Sequence, residues 1–397
     1  VIFTLYLTRN GLLEPLGQSQ VMNYLRGLSR EYSITLITYE KDEDWSDDTR
    51  MAKAKAECES HGITWLPQRF RSKPSLVAPA LSMIRMAWLV RREALRRNVR
   101  LIHARSYIPA AVGLAVKRMT GIPFIFDMRA LWPEELITAG RLRRGSVLHR
   151  AIAAAERACL REAAAVVSLT HAAVDYLREL YPREMNGQRV AVIPTCADLD
   201  RFVPYDKPTS PPVIGCLGTV LSGWFRLDWL SAFFACAEAH DPEVRFTVTT
   251  RDDPIQVRLR LGGSASFQER LTIEPSAPDL VHEILQRQIA SVMFFAEGPG
   301  KIGSSPTRMG EVLGCGVPVV TNSGVGDVAR IIREYRVGVL AAGPNPSEME
   351  VAWNDLQDLL KDPNLSERCR HAAESVFSLE SGTQAYNALY RAVLSGD

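Results

Sequence analysis

No stretch of this 397-residue chain approaches the roughly 18–20 consecutive apolar residues of a membrane span. Its start carries no basic, apolar, small-residue signal pattern. Cysteine is sparse: Cys58, Cys159, Cys196, Cys216, Cys236, Cys315 and Cys369 are odd in number and form no Cys-x-x-Cys pair. That argues against a disulfide framework or a zinc site and favours a reducing compartment. The expectation is a soluble, cytoplasmic protein. Also missing are a Walker loop, Gly-x-Ser-x-Gly and His-Glu-x-x-His, and no Gly-x-Gly-x-x-Gly comes after the first apolar run. What is present is a globular composition, 46% hydrophobic and 23% charged, in a chain long enough for two domains.

The net charge of +2 hides an asymmetry. Residues 1–150 hold 24 Lys and Arg against 14 Asp and Glu, whereas the remainder is acidic by eight charges. Short runs rich in Val, Ile, Leu and Phe alternate with longer helical patterns. In the first half the predicted strands are Val1–Leu7, Ile34–Tyr39, Ile63–Pro67, Leu101–Ala104, Phe124–Asp127, Val166–Thr170 and Val190–Pro194. Helices are predicted over Gln20–Arg30, Ala80–Asn98 and Leu148–Ala163. Phe202–Pro212 holds four prolines in eleven positions and reads as a linker. The alternation then restarts with strands at Val213–Leu217, Phe246–Thr249, Leu271–Ile273, Val292–Phe295, Val317–Thr321 and Val337–Ala341. The pattern predicts two Rossmann-like, doubly wound α/β domains. Ligands of such sheets bind beyond the carboxyl ends of the strands, so a cleft between the domains is the expected active site.

The densest motif is Lys301–Asp327, KIGSSPTRMGEVLGCGVPVVTNSGVGD. A Gly/Ser/Pro loop leads into a short helix at Arg308–Leu313, with Ser305 and Thr307 as capping candidates around Pro306. The amides and positive dipole end of that helix suit a phosphate. Glu311, about one to two turns in, can accept hydrogen bonds from ribose hydroxyls. A capped helix without a ligand is the competing reading.

This segment resembles the donor-binding region of family 4 retaining glycosyltransferases of the GT-B fold. Glu311 matches the second Glu of their Glu-x7-Glu pattern. Gly314-Cys315-Gly316-Val317-Pro318-Val319-Val320 matches their small-residue turn and Pro-Val-Val run. The first Glu falls on Gly303, a departure shared with a branch that reads Ser-Ser-Pro-Thr-(Lys/Arg)-x-Gly-Glu, here Ser304–Glu311. The resemblance implies that Glu311 holds the nucleotide ribose and that Ser304, Ser305, Pro306 and Thr307 meet sugar or diphosphate. In Ile214–Asp228 it implies a diphosphate-binding loop at Gly218 and Thr219. Arg226 is then the neutralising cation, with Arg251 and Lys301 as further candidates.

In the first domain, the resemblance places the Asn10–Gln20 loop near donor and acceptor, with Gly17 allowing close backbone approach and Gln18 offering polar groups. Asp127 stands where many members carry a His beside the reacting sugar, so it is a catalytic candidate with Arg226 and Lys301. His103, Arg105 and Arg129 are acceptor-side candidates. Each has a structural alternative: a surface loop, a turn-capping Asp, a buried His or an ion pair. Asp198-Leu199-Asp200 resembles a metal-binding triplet but precedes the linker, where Asp serves turns, so no metal site is expected.

The implied domains are residues 1–205 for the acceptor and 206–376 for the nucleotide-sugar donor, with the helix at 377–397 crossing back to the first. The implied activity transfers a sugar from a nucleoside diphosphate to a saccharide or lipid-linked acceptor hydroxyl, with retention. It needs no metal or cofactor and belongs to polysaccharide or glycolipid biosynthesis. Arg85, Arg91, Arg92, Arg96, Arg97, Arg100 and Arg105 surround Trp88 with only Glu93 opposing, and Arg141, Arg143 and Arg144 add to the field. This predicts peripheral contact with anionic membrane at its inner face. No aromatic-interleaved motif supports nucleic-acid binding. Two rivals remain: a nucleotide-sugar-binding protein without catalysis, and an oxidoreductase, disfavoured by the missing glycine fingerprint.

Overall fold

The computed structural model describes residues 1–14, 17–70, 78–205 and 210–396, without the side chains of 78–81. The chain divides into two units. Unit 1 comprises Val1–Pro194 with Leu379–Asp397, and unit 2 is Thr195–Ser378.

Among the described residues, unit 1 holds seven strands: β1 Ile2–Thr8, β2 Tyr32–Glu40, β3 Thr64–Arg69, β4 Leu101–Arg105, β5 Phe124–Met128, β6 Ala165–Ser168 and β7 Val190–Val192. Their order is β3-β2-β1-β4-β5-β6-β7, and every pair is parallel. β4, β5 and β6 are buried along their whole length, as helices covering both faces require. The intervening helices carry local signals. Thr170 caps Ala173 at the start of His171–Leu180, and Gly121 ends Tyr107–Thr120 in the left-handed region at φ 78°. The predicted helix Gln20–Arg30 is instead a π-helical turn, Gly17–Met22, running into Asn23–Leu28.

Unit 2 repeats the plan with β8 Val213–Leu217, β9 Arg245–Thr249, β10 Leu271–Glu274, β11 Ala290–Met293, β12 Val319–Asn322 and β13 Gly338–Ala341. Its parallel order is β10-β9-β8-β11-β12-β13. One core gathers Phe233, Phe234, Phe246, Phe294 and Trp353, and another Met309, Val312, Leu313, Ile331 and Phe377. In both units the strand order reverses beside the first strand. β1/β4 and β8/β11 are therefore the switch points where ligands of such sheets bind.

Residues 195–205, expected to close the first domain, belong to unit 2. The Thr195 hydroxyl donates to the Ser305 carbonyl at 2.8 Å, Ala197 N–H donates to Phe377 O, and Arg370 donates to the carbonyls of Leu199 and Phe202. Of the predicted linker, residues 206–209 lie outside the described residues. The final helix, Leu379–Ser395, belongs to unit 1.

Candidate functional site

In unit 2 the loop after β8 opens at Gly218, whose φ of 131° disfavours a side chain. Thr219 is next, and the Val220 and Leu221 amides both donate to Asp252 Oδ2, at 2.7 and 2.9 Å. Asp252 comes just after β9, beside the exposed Arg251, which forms no ion pair among the described residues. The same loop is joined to the segment after β11: Arg226 N–H donates to Phe294 O, and Ala296 N–H to Trp224 O, each at 2.9 Å. Asn322, at the end of β12, fixes that segment by accepting from Phe295 N–H and donating to Phe295 O. Carboxyl-end loops of β8, β9, β11 and β12 thus form one connected rim.

Arg226 meets Asp228 through two nitrogens, at 2.9 and 2.6 Å, and this pairing raises its pKa. It is therefore an ion-paired cation. The Lys301 ammonium lies 3.7 Å from the centroid of the Trp224 ring. The motif helix runs Thr307–Gly314 with Pro306 at its N-cap and no side-chain cap bond, so neither Ser305 nor Thr307 caps it. Ser305 is engaged by Thr195 instead, and Ser304 N–H donates to Lys301 O. Glu311 Oε2 accepts from Arg308 at 2.6 Å. Gly303, at the missing carboxylate's position, is buried.

In unit 1 the structure corrects several expectations. Asp127 is fully buried at the end of β5. Its Oδ2 accepts from Arg105 at 2.8 Å and Tyr386 OH at 3.0 Å and contacts His103 Nε2 at 3.0 Å. His103 Nδ1 meets Tyr390 OH at 2.8 Å. Burial alone would raise the Asp127 pKa, but Arg105, His103 and Tyr386 outweigh it and hold the carboxyl down to about 2. Burial pushes His103 down despite the same carboxylate. For Arg105, burial is outweighed by Asp127 and the surrounding tyrosines, which raise its pKa. Asp127, His103 and Arg105 therefore form an internal network binding the last helix to the sheet, not groups open to a sugar. Asp127 Oδ1 is buried with no hydrogen-bond partner among the described residues. Arg129, half-buried, forms no ion pair among the described residues.

Gly17 is required by its own loop: a Cβ there would lie 2.2 Å from Gly11 O and 2.7 Å from Leu12 O. The Gln18 side chain donates to Leu12 O at 3.1 Å. The loop's anchor, missed in the sequence, is the buried Glu40. It accepts from the Leu12 and Leu13 amides at 2.7 and 3.3 Å and from Thr38 Oγ1 at 2.6 Å. A carboxylate closing the apolar run of β2 is the signal that could have found it. Asp198 makes a turn, its carbonyl accepting from Arg201 and Phe202 N–H.

Residues 17–196 match the glycosyl transferase 4-like domain family. A curated relative, D-inositol 3-phosphate glycosyltransferase of Paenarthrobacter aurescens (strain TC1), is 24% identical over 75% of this chain and 74% of its own. A glycosyltransferase from Rickettsia africae is similar in structure, with TM-score 0.70, 14% identity and coverage of 100% of this chain and 99% of that one. Anabaena HepE, solved in complex with UDP-glucose, gives TM-score 0.66 and 15% identity, covering 98% and 100%. The fold is that of the GT-B glycosyltransferases. The match over residues 17–196 supports the resemblance to family 4 glycosyltransferases that the motifs suggested.

Proposed function

We propose that the protein transfers a sugar from a nucleoside diphosphate sugar to a hydroxyl of a saccharide or lipid-linked acceptor, with retention and without a metal, in polysaccharide or glycolipid assembly. The observation that carries this reading is the composition of one rim in unit 2. Arg226, Arg251 and Lys301 stand on carboxyl-end loops together with the uncapped start of Thr307–Gly314, and Glu311 lies one turn in. Those cations and amides match the charge that develops on a departing diphosphate. The bond from the anomeric carbon to the diphosphate oxygen breaks as the acceptor oxygen bonds on the same face. The acceptor proton passes to the departing phosphate oxygen.

A lipid-linked acceptor is supported by the helix Ala78–Arg96. Ile84, Trp88 and Leu95 are exposed by 66%, 58% and 48% and share one face at helical spacing. Arg85, Arg91, Arg92 and Arg96 flank them, and Arg92 lies 5.0 Å from the Trp88 ring centroid. An apolar stripe edged with cations suits an anionic lipid surface. No described helix is long and apolar enough to cross a membrane.

The test is turnover of UDP-, GDP- and ADP-linked sugars under exhaustive chelation, against saccharide and lipid-linked acceptors. UDP-glucose, which HepE binds, is the first donor to try. Acceptor-dependent release of nucleoside diphosphate, with the donor's anomeric configuration kept in the product, is expected. A strict need for added manganese or magnesium, or inversion, overturns the mechanism. Donor binding without release in any combination overturns the enzymatic reading in favour of a binding protein.

A further inference from the structure

We propose that Asp252 is a positioning residue for the donor diphosphate, its carboxylate setting the loop after β8 so that Thr219 meets a phosphate. The inference rests on the reading of unit 2 as the donor site. One oxygen, Oδ2, accepts from two consecutive backbone amides, Val220 at 2.7 Å and Leu221 at 2.9 Å, 32 and 31 residues away in sequence. Asp252 is itself held: its N–H donates to Thr250 Oγ1 at 3.0 Å, and Thr250 N–H donates to Glu274 O at the end of β10.

The clamp decides which groups of the loop stay open. Gly218 N–H continues the sheet by donating to Thr249 O, and the Val220 and Leu221 amides are taken by Asp252. Between them, the exposed Thr219 keeps its N–H and its hydroxyl without a hydrogen bond among the described residues. Its carbonyl accepts from Ser222 Oγ at 3.2 Å. A diphosphate arriving at this loop therefore meets Thr219 rather than the amides that follow it. With the loop already ordered, binding does not have to supply that entropy.

Unit 1 holds the matching loop in the same way. Glu40 closes β2, the neighbour of β1, and accepts from the consecutive Leu12 and Leu13 amides after β1. A side chain at Gly11 would run into that carboxylate. Asp252 follows β9, the neighbour of β8. In each unit a carboxylate at the end of the second strand grips two amides after the first, the strand beside which the order reverses. A carboxylate suits this task because it only accepts hydrogen bonds, and its charge strengthens them. The recurrence separates the clamp from a chance surface contact.

Calorimetric titration of UDP, GDP and ADP, and of the three matching nucleosides, tests the idea on the wild type, D252N and D252A, with urea unfolding as the check on folding. For the diphosphate that the wild type binds best, D252A weakens affinity about five- to thirty-fold, the range for releasing one ordered backbone residue. D252N keeps an oxygen where both amides converge and stays within about three-fold of the wild type. Nucleoside affinity does not change in either variant. Wild-type or tighter diphosphate affinity in folded D252A, an equal loss for the nucleoside, or a loss in D252N as large as in D252A overturns the proposal. If D252A does not fold, D252S is read in its place, since its shorter side chain carries no carboxylate to the two amides. Failure of the wild type to bind any of the three diphosphates overturns the donor-site reading itself and this inference with it.

Discussion

Glu311 sits one turn into a helix whose first amides face no side-chain cap, and one of its oxygens is held by Arg308 at 2.6 Å. A carboxylate in this place can accept from two adjacent ribose hydroxyls, and charge-assisted bonds of this kind contribute roughly 1.5–3 kcal/mol. Glu311→Ala is accordingly expected to weaken nucleoside diphosphate binding about ten- to a hundred-fold. A matched deoxyribose nucleotide should lose affinity for the wild type but little more in the variant, a non-additivity that marks direct contact. If Glu311 only pairs with Arg308, the variant stays folded, since exposed pairs of this spacing contribute little. It then discriminates ribose as before, and titration calorimetry distinguishes the two results.

At the scale of an element, the last helix depends on groups that the sequence pointed to for chemistry. Tyr386 and Tyr390 reach Asp127 and His103 across the sheet, Gly27 abuts Thr383, and Arg391 pairs with Glu31. Asp127→Asn leaves Arg105 buried with its charge uncompensated, and loss of one partner of a buried pair costs about 3–5 kcal/mol. Because the folded pKa of Asp127 is depressed from 3.8 to about 2, the unfolded chain binds the proton more readily. Its stabilisation is present above pH ~4 and lost as pH falls towards about 2. His103, with its folded pKa lowered from 6.5, acts in the same direction: the unfolded imidazole takes a proton first, so stability declines as pH drops below 6.5. Urea unfolding monitored from pH 7 to pH 3 should show this decline in the wild type and a flatter, lower curve in Asp127→Asn. An Asp127→Asn protein as stable as the wild type but unable to turn over would restore Asp127 to catalysis.

On the scale of the whole molecule, charge is partitioned along the chain, with the basic residues concentrated before residue 150. The exposed Ile84–Trp88–Leu95 stripe lies among these arginines, and the proposed contact with anionic membrane makes a direct prediction. Flotation with liposomes should recover the protein on vesicles containing anionic lipid and lose it on neutral ones. Binding should fall as salt screens the arginines. Trp88→Ser should reduce recovery even at low salt, because the apolar anchor is gone. Flotation indifferent to both lipid charge and salt would remove the membrane from the functional reading.

All thirteen strands of the described residues were legible in the sequence, because strands buried on both faces are written as short apolar runs between turn residues. The resemblance to the family was legible too, since Ser304–Glu311 and the Gly314–Val320 turn are local in sequence. Burial was not. A polar residue after a strand can face solvent or lie under a returning helix. At Asp127, His103 and Arg105 the choice was made by Tyr386 and Tyr390, more than 250 residues away. Likewise Gly17 looked open to a ligand until Gly11 and Leu12 folded against it. Glu40 and Asp252 acquired meaning only through partners on other loops. Apolar periodicity and turn chemistry are properties of neighbouring residues, so the sequence by itself determined the elements and the fold class. Desolvation, ion pairing and cation–π contact depend on what long-range packing places beside a group, so only the tertiary structure decided which polar residues stay open to chemistry.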